Sequence, residues 1–476
     1  MPDPRDGATG PAPRPHDAAR RAEASSESAA RRADREAKEE LSQAGRSLWR
    51  LGLLAVVAGL MTGVVGAAFR LGLSAADRLR ADFVGSARGL GWWGVLLPVA
   101  GVAAGAAVAR LLVRWAPEAS GSGVQHVEAF MRGQVGPARL RVLPVKFAGG
   151  LIALGSGLVL GREGPTVQMG ATIADWLASL FRLPDTDMRD LQAAAAGAGL
   201  GVAFSAPLGG AAFTFEEVGR VFTARLAVAS LLACSAAWSV GYLMLGGAPE
   251  FSVRAVTATQ WRALPAVLVF GALMGLGGVA YNRLVVRLHD VAARLTRTPP
   301  EVRAATIGAV VGCALWFESG LAGGGDPVTE ASLRATLPLG TVVLLLVLRW
   351  FLGPLSYAAG TPGGLFAPLL VVGALSGALF AACWNGLAPG APMDPVALSI
   401  VGMSTFFAAT VRAPFTGVLL VVEMTATTSQ LVPMLAAAGM AVATATVARG
   451  LPIYDSLRLG MLREAEQRER ADGGPS

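Results

Sequence analysis

Residues 160–170 read LGREGPTVQMG. Apolar stretches lie on both sides, yet the centre holds an arginine, a glutamate and a proline between glycines. The surrounding chain explains why this placement is informative. Of its 476 residues, 53% are hydrophobic and 15% charged, against about 25% charged in an ordinary soluble protein. Apolar runs recur from near 51–72 to 431–448, several long enough for a helix of about 20 residues to cross a bilayer. The composition therefore reads as a polytopic membrane protein. In that setting, a charged pair and a helix breaker at membrane depth need protein or a water-filled cavity to satisfy the freed backbone groups. Such breaks in transporters mark the substrate site.

Two further segments share the pattern: SGSGVQHVEAF at 120–130 and GGLFAPLLVVG at 363–373. Each glycine cluster precedes a predicted helix start. Glycine lets a ligand approach the backbone closely, and Pro165 and Pro368 suit the first helical position. A helix start offers unpaired N–H groups and the positive end of the dipole. Three converging starts would hold an anion without a full positive charge. Cation chemistry would call for carboxylates or free carbonyl ends, of which these segments show little. Glu163 is the exception. A carboxylate in an anion site is a tethered competitor: ionised it occupies the site, protonated it leaves, and so it couples occupancy to protons. The competing structural reading is an Arg162–Glu163 pair that closes a loop at the membrane surface.

The breaks recur in two halves. SAPLGGAAFTFEE (205–217) and RAPFTGVLLVVEM (412–424) share Ala-Pro-x-x-Gly followed by Glu. Pro207 and Pro414 are 207 residues apart, as are Glu216 and Glu423, while Pro165 and Pro368 are 203 apart. The spacing predicts a first membrane repeat over 48–246 and a second over 247–449. Residues 1–47 form a charged N-terminal arm, with 1–23 expected disordered and 24–45 helical. Residues 450–476 form a short polar helix and tail, expected to be cytoplasmic like the arm and without a regulatory domain.

The formal charge of +7 is almost all arginine, with Lys38 and Lys146 as the two lysines. It fits the positive-inside rule better than nucleic-acid binding. Cys234, Cys313 and Cys383 lie far apart in apolar stretches, where buried small residues are expected. His16, His126 and His289 show no metal spacing. No GxxxxGK[ST] stretch is present, so neither ATP nor another cofactor is expected. Ser122 and His126, four apart, raise a membrane hydrolase as a reading from another class. No acidic residue orients the histidine, so the triad logic is incomplete.

GSGVQ (121–125), GREGP (161–165), GLFAP (364–368) and Tyr454 in LPIYDS together resemble the CLC chloride channel and transporter family. The resemblance covers roughly residues 48–465. It implies an all-α polytopic fold of two inverted repeats with tilted, partly penetrating helices, and a homodimer with one pathway per subunit. It also implies a site. Ser122 and Tyr454 would present hydroxyls to a central anion, and amides near Leu365 and Phe366 would hold an outer one. Gly121, Gly123, Gly161, Arg162, Gly164, Pro165, Gly364, Ala367 and Pro368 would build the filter. Glu163 would be the external gate and proton-transfer group, and Glu217 the internal proton glutamate.

An acidic residue at 217 favours chloride–proton exchange across a bacterial inner membrane over a passive chloride channel. A fluoride/proton antiporter is the further alternative. One departure stands out: the family's first segment usually reads Gly-Ser-Gly-Ile-Pro, and here Val124 and Gln125 fill the last two places. Glu216 and Glu423 read as helix caps or bridges, Glu128 as structural, and His126 as a wall or interface residue. Lys146 reads either as added positive potential on the anion path or as a snorkelling anchor.

Overall fold

The computed structural model describes residues 15–257, 259–295 and 297–471, with side chains at 45 and, within those bounds, over 47–467. The chain divides between Leu53 and Leu54 into two compact units. Helix α1 spans Pro15–Arg88. In the first unit the backbone is helical from Pro15, upstream of the expected start at residue 24. Residues 15–23 are thus helical rather than disordered. Proline tolerates the first helical position, and the Ala, Arg and Glu that follow are strong helix formers. Residues 1–14 of the arm lie outside the described residues.

The second unit continues with α2 (Leu96–Leu112), α3 (Val124–Met131), α4 (Val142–Ser156) and α5 (Glu163–Leu180). Next come α6 (Asp185–Phe204), α7 (Pro207–Phe213), α8 (Ala224–Leu245) and α9 (Leu264–Arg294). Then follow α10 (Pro300–Phe317), α11 (Asp326–Leu333), α12 (Leu339–Tyr357) and α13 (Phe366–Leu387). The chain closes with α14 (Pro395–Val411), α15 (Pro414–Thr425), α16 (Leu431–Val447) and α17 (Ile453–Ala471). Among the described residues, six helices are long and apolar enough to cross a membrane. Others are too short: α3 has eight residues, about 12 Å of helix.

The abundant glycine has a packing use. Helices α5 and α6 cross so closely that a Cβ on Gly170 would lie 2.3 Å from the Ala195 carbonyl oxygen, and one on Gly199 2.3 Å from that of Thr166. Helices α13 and α14 repeat this: a Cβ on Gly373 would lie 2.3 Å from the Gly402 carbonyl oxygen, and one on Gly402 2.1 Å from that of Gly373. Gly170 and Gly373 are 203 residues apart, as are Gly199 and Gly402. This is the offset of Pro165 and Pro368. Small residues let helix backbones meet where water supplies no hydrophobic drive.

These four helices form the buried centre. Around them, α2, α8 and α12 expose Leu111, Leu231, Leu243 and Leu344, as helices facing hydrocarbon do. Cys234 is buried, but Cys313 and Cys383 are exposed. The expectation of burial fails for those two because an apolar stretch of a membrane helix can face outward.

A candidate anion site at three helix starts

All three breaks open helices, and backbone hydrogen bonds stitch them together. The Gly161 amide donates to the Gly364 carbonyl at 2.8 Å, and the Gly364 amide returns to Gly161 at 2.7 Å. The Gly121 amide donates to Thr361 at 3.2 Å, and that of Gly363 to Gly121 at 3.0 Å. The segment before α13 is therefore pinned both to the one before α3 and to the one before α5. Pro165 and Pro368 each stand third in their helices rather than first. They remain within the first turn, where a missing N–H costs nothing.

The Glu163 carboxylate is fully buried and folds back toward the neighbouring helix start. Its Oε1 accepts the Ala367 amide at 3.3 Å. It thus sits at the N-terminus of α13, beside the Leu365 and Phe366 segment expected to hold an anion. Room for it is made by glycine: a Cβ on Gly161 would lie 2.2 Å from both carboxylate oxygens. One on Gly364 would lie 2.6 Å from Oε1, and one on Gly164 2.5 Å from the Ser122 hydroxyl.

Arg162 makes no pair with Glu163. It turns away to Glu250, to Asp326 at 3.2 Å and to the Ala203 carbonyl at 2.9 Å. Glu250 also takes Arg70 at 2.6 Å, so one loop carboxylate bridges two arginines. The surface-pair reading of Arg162–Glu163 is thereby excluded.

Ser122 lies before α3 rather than on it. Gly123 takes φ +88° between them, a left-handed conformation that suits glycine. The helical i,i+4 relation of Ser122 to His126 therefore does not hold, and His126 Nε2 has no hydrogen-bond partner. The Ser122 hydroxyl and the Tyr454 phenol are buried and face each other, and neither makes a hydrogen bond to any other group. Tyr454 stacks on Phe366 with ring centroids 5.6 Å apart. Two hydroxyls thus converge beside the Glu163 seat.

Lys146 is wholly buried. Its Nζ donates to the carbonyls of Ala119 at 3.1 Å and Gly121 at 2.7 Å. That geometry excludes snorkelling and makes Lys146 the clamp of the loop before α3. Arg349, 203 residues on, clamps the loop before α11 through the carbonyls of Gly320, Ala322 and Gly323.

Away from the filter, Glu217 is 2% exposed in a π-helical turn over Thr214–Val218. Glu128 faces it, and Arg220 lies 3.5 Å from its Oε1. Glu128, expected from the sequence to be structural, stands on the helix that leaves the first break and is buried against Glu217. Asp455 gathers Arg132 at 3.0 Å, Arg220 at 3.0 Å and Arg458 at 2.9 Å. It thereby ties the start of α17, and so Tyr454, to the end of α3.

A cavity of about 810 Å³ opens below the first break, lined by Arg110, Gln125, His126, His289, Arg303 and Tyr357 among others. Gln125 Oε1 accepts the Gly123 amide at 3.1 Å, and the Tyr357 phenol oxygen accepts that of Ser122 at 3.5 Å.

Comparison with known proteins agrees with this arrangement. A family profile described as voltage gated chloride channel matches residues 100–446. The H(+)/Cl(-) exchange transporter ClcA of Vibrio vulnificus strain YJ016 is 35% identical over 414 residues, covering 85% of this chain and 88% of its own. That of Cronobacter sakazakii strain ATCC BAA-894 is 34% identical, covering 88% and 92%. The solved structure of a slow cyanobacterial Cl-/H+ antiporter superimposes with a TM-score of 0.82 at 30% identity, covering 87% of this chain and 98% of that one. A CLC-type fluoride/proton antiporter, at 20% identity and a TM-score of 0.70 over 86% and 98%, shares the fold. With the family profile spanning most of its length and these relatives matching nearly end to end, the chain belongs to the voltage-gated chloride channel (CLC) family.

Proposed function

We infer that this protein is a secondary active transporter that exchanges chloride for protons across a bacterial inner membrane. The observation that carries this reading is the Glu163 carboxylate on the α13 amide of Ala367. A carboxyl oxygen already occupies a helix N-terminus suited to an anion. Chloride and the ionised carboxylate compete for that place. Protonation removes the charge that holds Glu163 there, so the side chain leaves and the anion enters. Each departure toward the outer solution carries a proton, and each return expels an anion.

Ser122 and Tyr454 supply hydroxyl donors to a central anion, and the Leu365 and Phe366 amides serve the outer position. Glu217 receives the proton from the cytoplasmic side and passes it toward Glu163 along water. The relatives' names support chloride and protons as the exchanged pair. Both termini face the cytoplasm in this reading. Two copies associate in the bilayer, each with its own pathway.

The test is reconstitution of the purified protein in liposomes under a chloride gradient, with the membrane potential controlled and external pH followed. Uphill proton movement that vanishes in Glu163→Gln supports exchange with this gate. Chloride flux without proton movement would mean a channel and would remove the role of Glu217.

A further inference from the structure

The large cavity stops short of the anion site at two side chains. Gln125 and Tyr357 line it, whereas the Ser122 hydroxyl does not. Their tips meet over Gly121: a Cβ there would lie 2.9 Å from the Tyr357 hydroxyl and 3.3 Å from Gln125 Nε2. The carboxamide is also within hydrogen-bonding reach of the phenol. Each contributes an oxygen to the start of α3. Tyr357 takes the Ser122 amide and Gln125 takes the Gly123 amide. Those two donors precede the helix and are the first an anion rising from the cavity would meet. Both acceptors are neutral and tethered, and Gln125 reaches back only two residues to make its bond.

We propose that Gln125 and Tyr357 form an inner gate, a pair of side-chain oxygens that compete with chloride for the Ser122 and Gly123 amides on the cavity side of the site. This rests on the reading of the site as a chloride site. An anion passes when the phenol and the carboxamide give up those amides, and they reclaim them when it has gone. Glu163 competes with the anion on the side of α13 in the same manner, but with a charge. The inner competitors are uncharged, so they weaken occupancy without linking it to protons.

The test is chloride titration by calorimetry on the purified full-length protein, beside chloride turnover in liposomes. The variants are Tyr357→Phe, which keeps the ring and drops the oxygen, and Gln125→Met, which keeps length and drops the amide. A neutral hydrogen bond returned to the anion changes affinity by about 2- to 10-fold, so each variant should bind chloride tighter by that factor. Misfolding does not tighten binding, so the expected result differs from structural damage. Unchanged or weaker binding in both variants would overturn the gate. If the wild type binds chloride but moves no protons, the exchanger reading fails, and the affinity comparison still decides the gate.

Discussion

Glu216 and Glu423 each cap the helix that carries, or leads into, the other. The Glu216 carboxylate accepts the Phe415 amide at 3.1 Å and the Thr416 amide at 2.7 Å, at the start of α15. Glu423, near the end of α15, accepts the Leu208 amide at 3.0 Å and the Gly209 amide at 2.7 Å, at the start of α7. The 207-residue offset between the two glutamates thus reflects a reciprocal contact between the halves. A carboxylate at a helix start satisfies orphan donors and meets the positive dipole end. Either Glu216→Ala or Glu423→Ala should cost about 1–2 kcal/mol, read as a lowered thermal midpoint. The proton-to-chloride ratio should stay unchanged in Glu216→Ala, because Glu217 is assigned the proton.

Gly161→Ala tests the Glu163 seat without touching the glutamate. The added methyl would meet both carboxylate oxygens at 2.2 Å, and the side chain must leave. Chloride flux should continue while proton coupling falls toward that of Glu163→Gln. Tight coupling in Gly161→Ala would show that the carboxylate works from another position.

Much of the site was legible because breaks stand out against apolar sequence. Gly161, Pro165, Gly364 and Pro368 interrupt runs that otherwise read as spans, and the constant offsets show that the interruptions come in pairs. Glu163 was conspicuous as a carboxylate with no local need for one. What stayed hidden depends on contacts between distant segments. Tyr357 ends α12 in a stretch, LSYAAG, whose pattern says nothing of a partner at Gln125. Glu250 lies in a loop with no periodicity, and its bridge between Arg70 and Arg162 exists only once that loop is folded back. Hydropathy also hides which side of an apolar helix faces outward, hence the exposed Cys313 and Cys383.

Lys146→Met separates clamping from simple charge. The Lys146 amine holds the carbonyls of Ala119 and Gly121, and methionine fills similar space while removing that donor from both, leaving Gly121 only the Gly363 amide. Leaving a buried acceptor without its partner costs about 1–3 kcal/mol, so a destabilisation of about that size is expected, measured by chemical or thermal unfolding in detergent. Chloride affinity should fall with it, since Gly121 abuts Ser122. Lys146→Arg, with a fork shaped differently from a point charge, should recover only part of either loss. Full stability in Lys146→Met would assign the lysine a purely electrostatic role.

Asp455 gives the protein an acid limit at the α17 end. Burial alone would raise its carboxyl, but hydrogen bonds from Arg458 and Arg220 and the nearby Arg132 outweigh that and leave it below its ordinary value. A carboxyl lowered in the folded state adds stability that is complete above the unfolded value, about 3.9, and lost as pH falls through the folded value. Asp455→Asn should therefore be less stable than the wild type at neutral pH, by about 1–2 kcal/mol, since Arg132 and Arg220 are partly exposed while Arg458 is buried. The difference should shrink as pH falls below about 4 and vanish once the wild-type carboxyl is protonated. Because Tyr454 is the adjacent residue, neutral-pH chloride affinity should weaken in the same variant. Thermal unfolding of both proteins across this range, with chloride titration at neutral pH, checks each part. A gap that persists unchanged into acid would mean that the aspartate acts through its shape and not its charge.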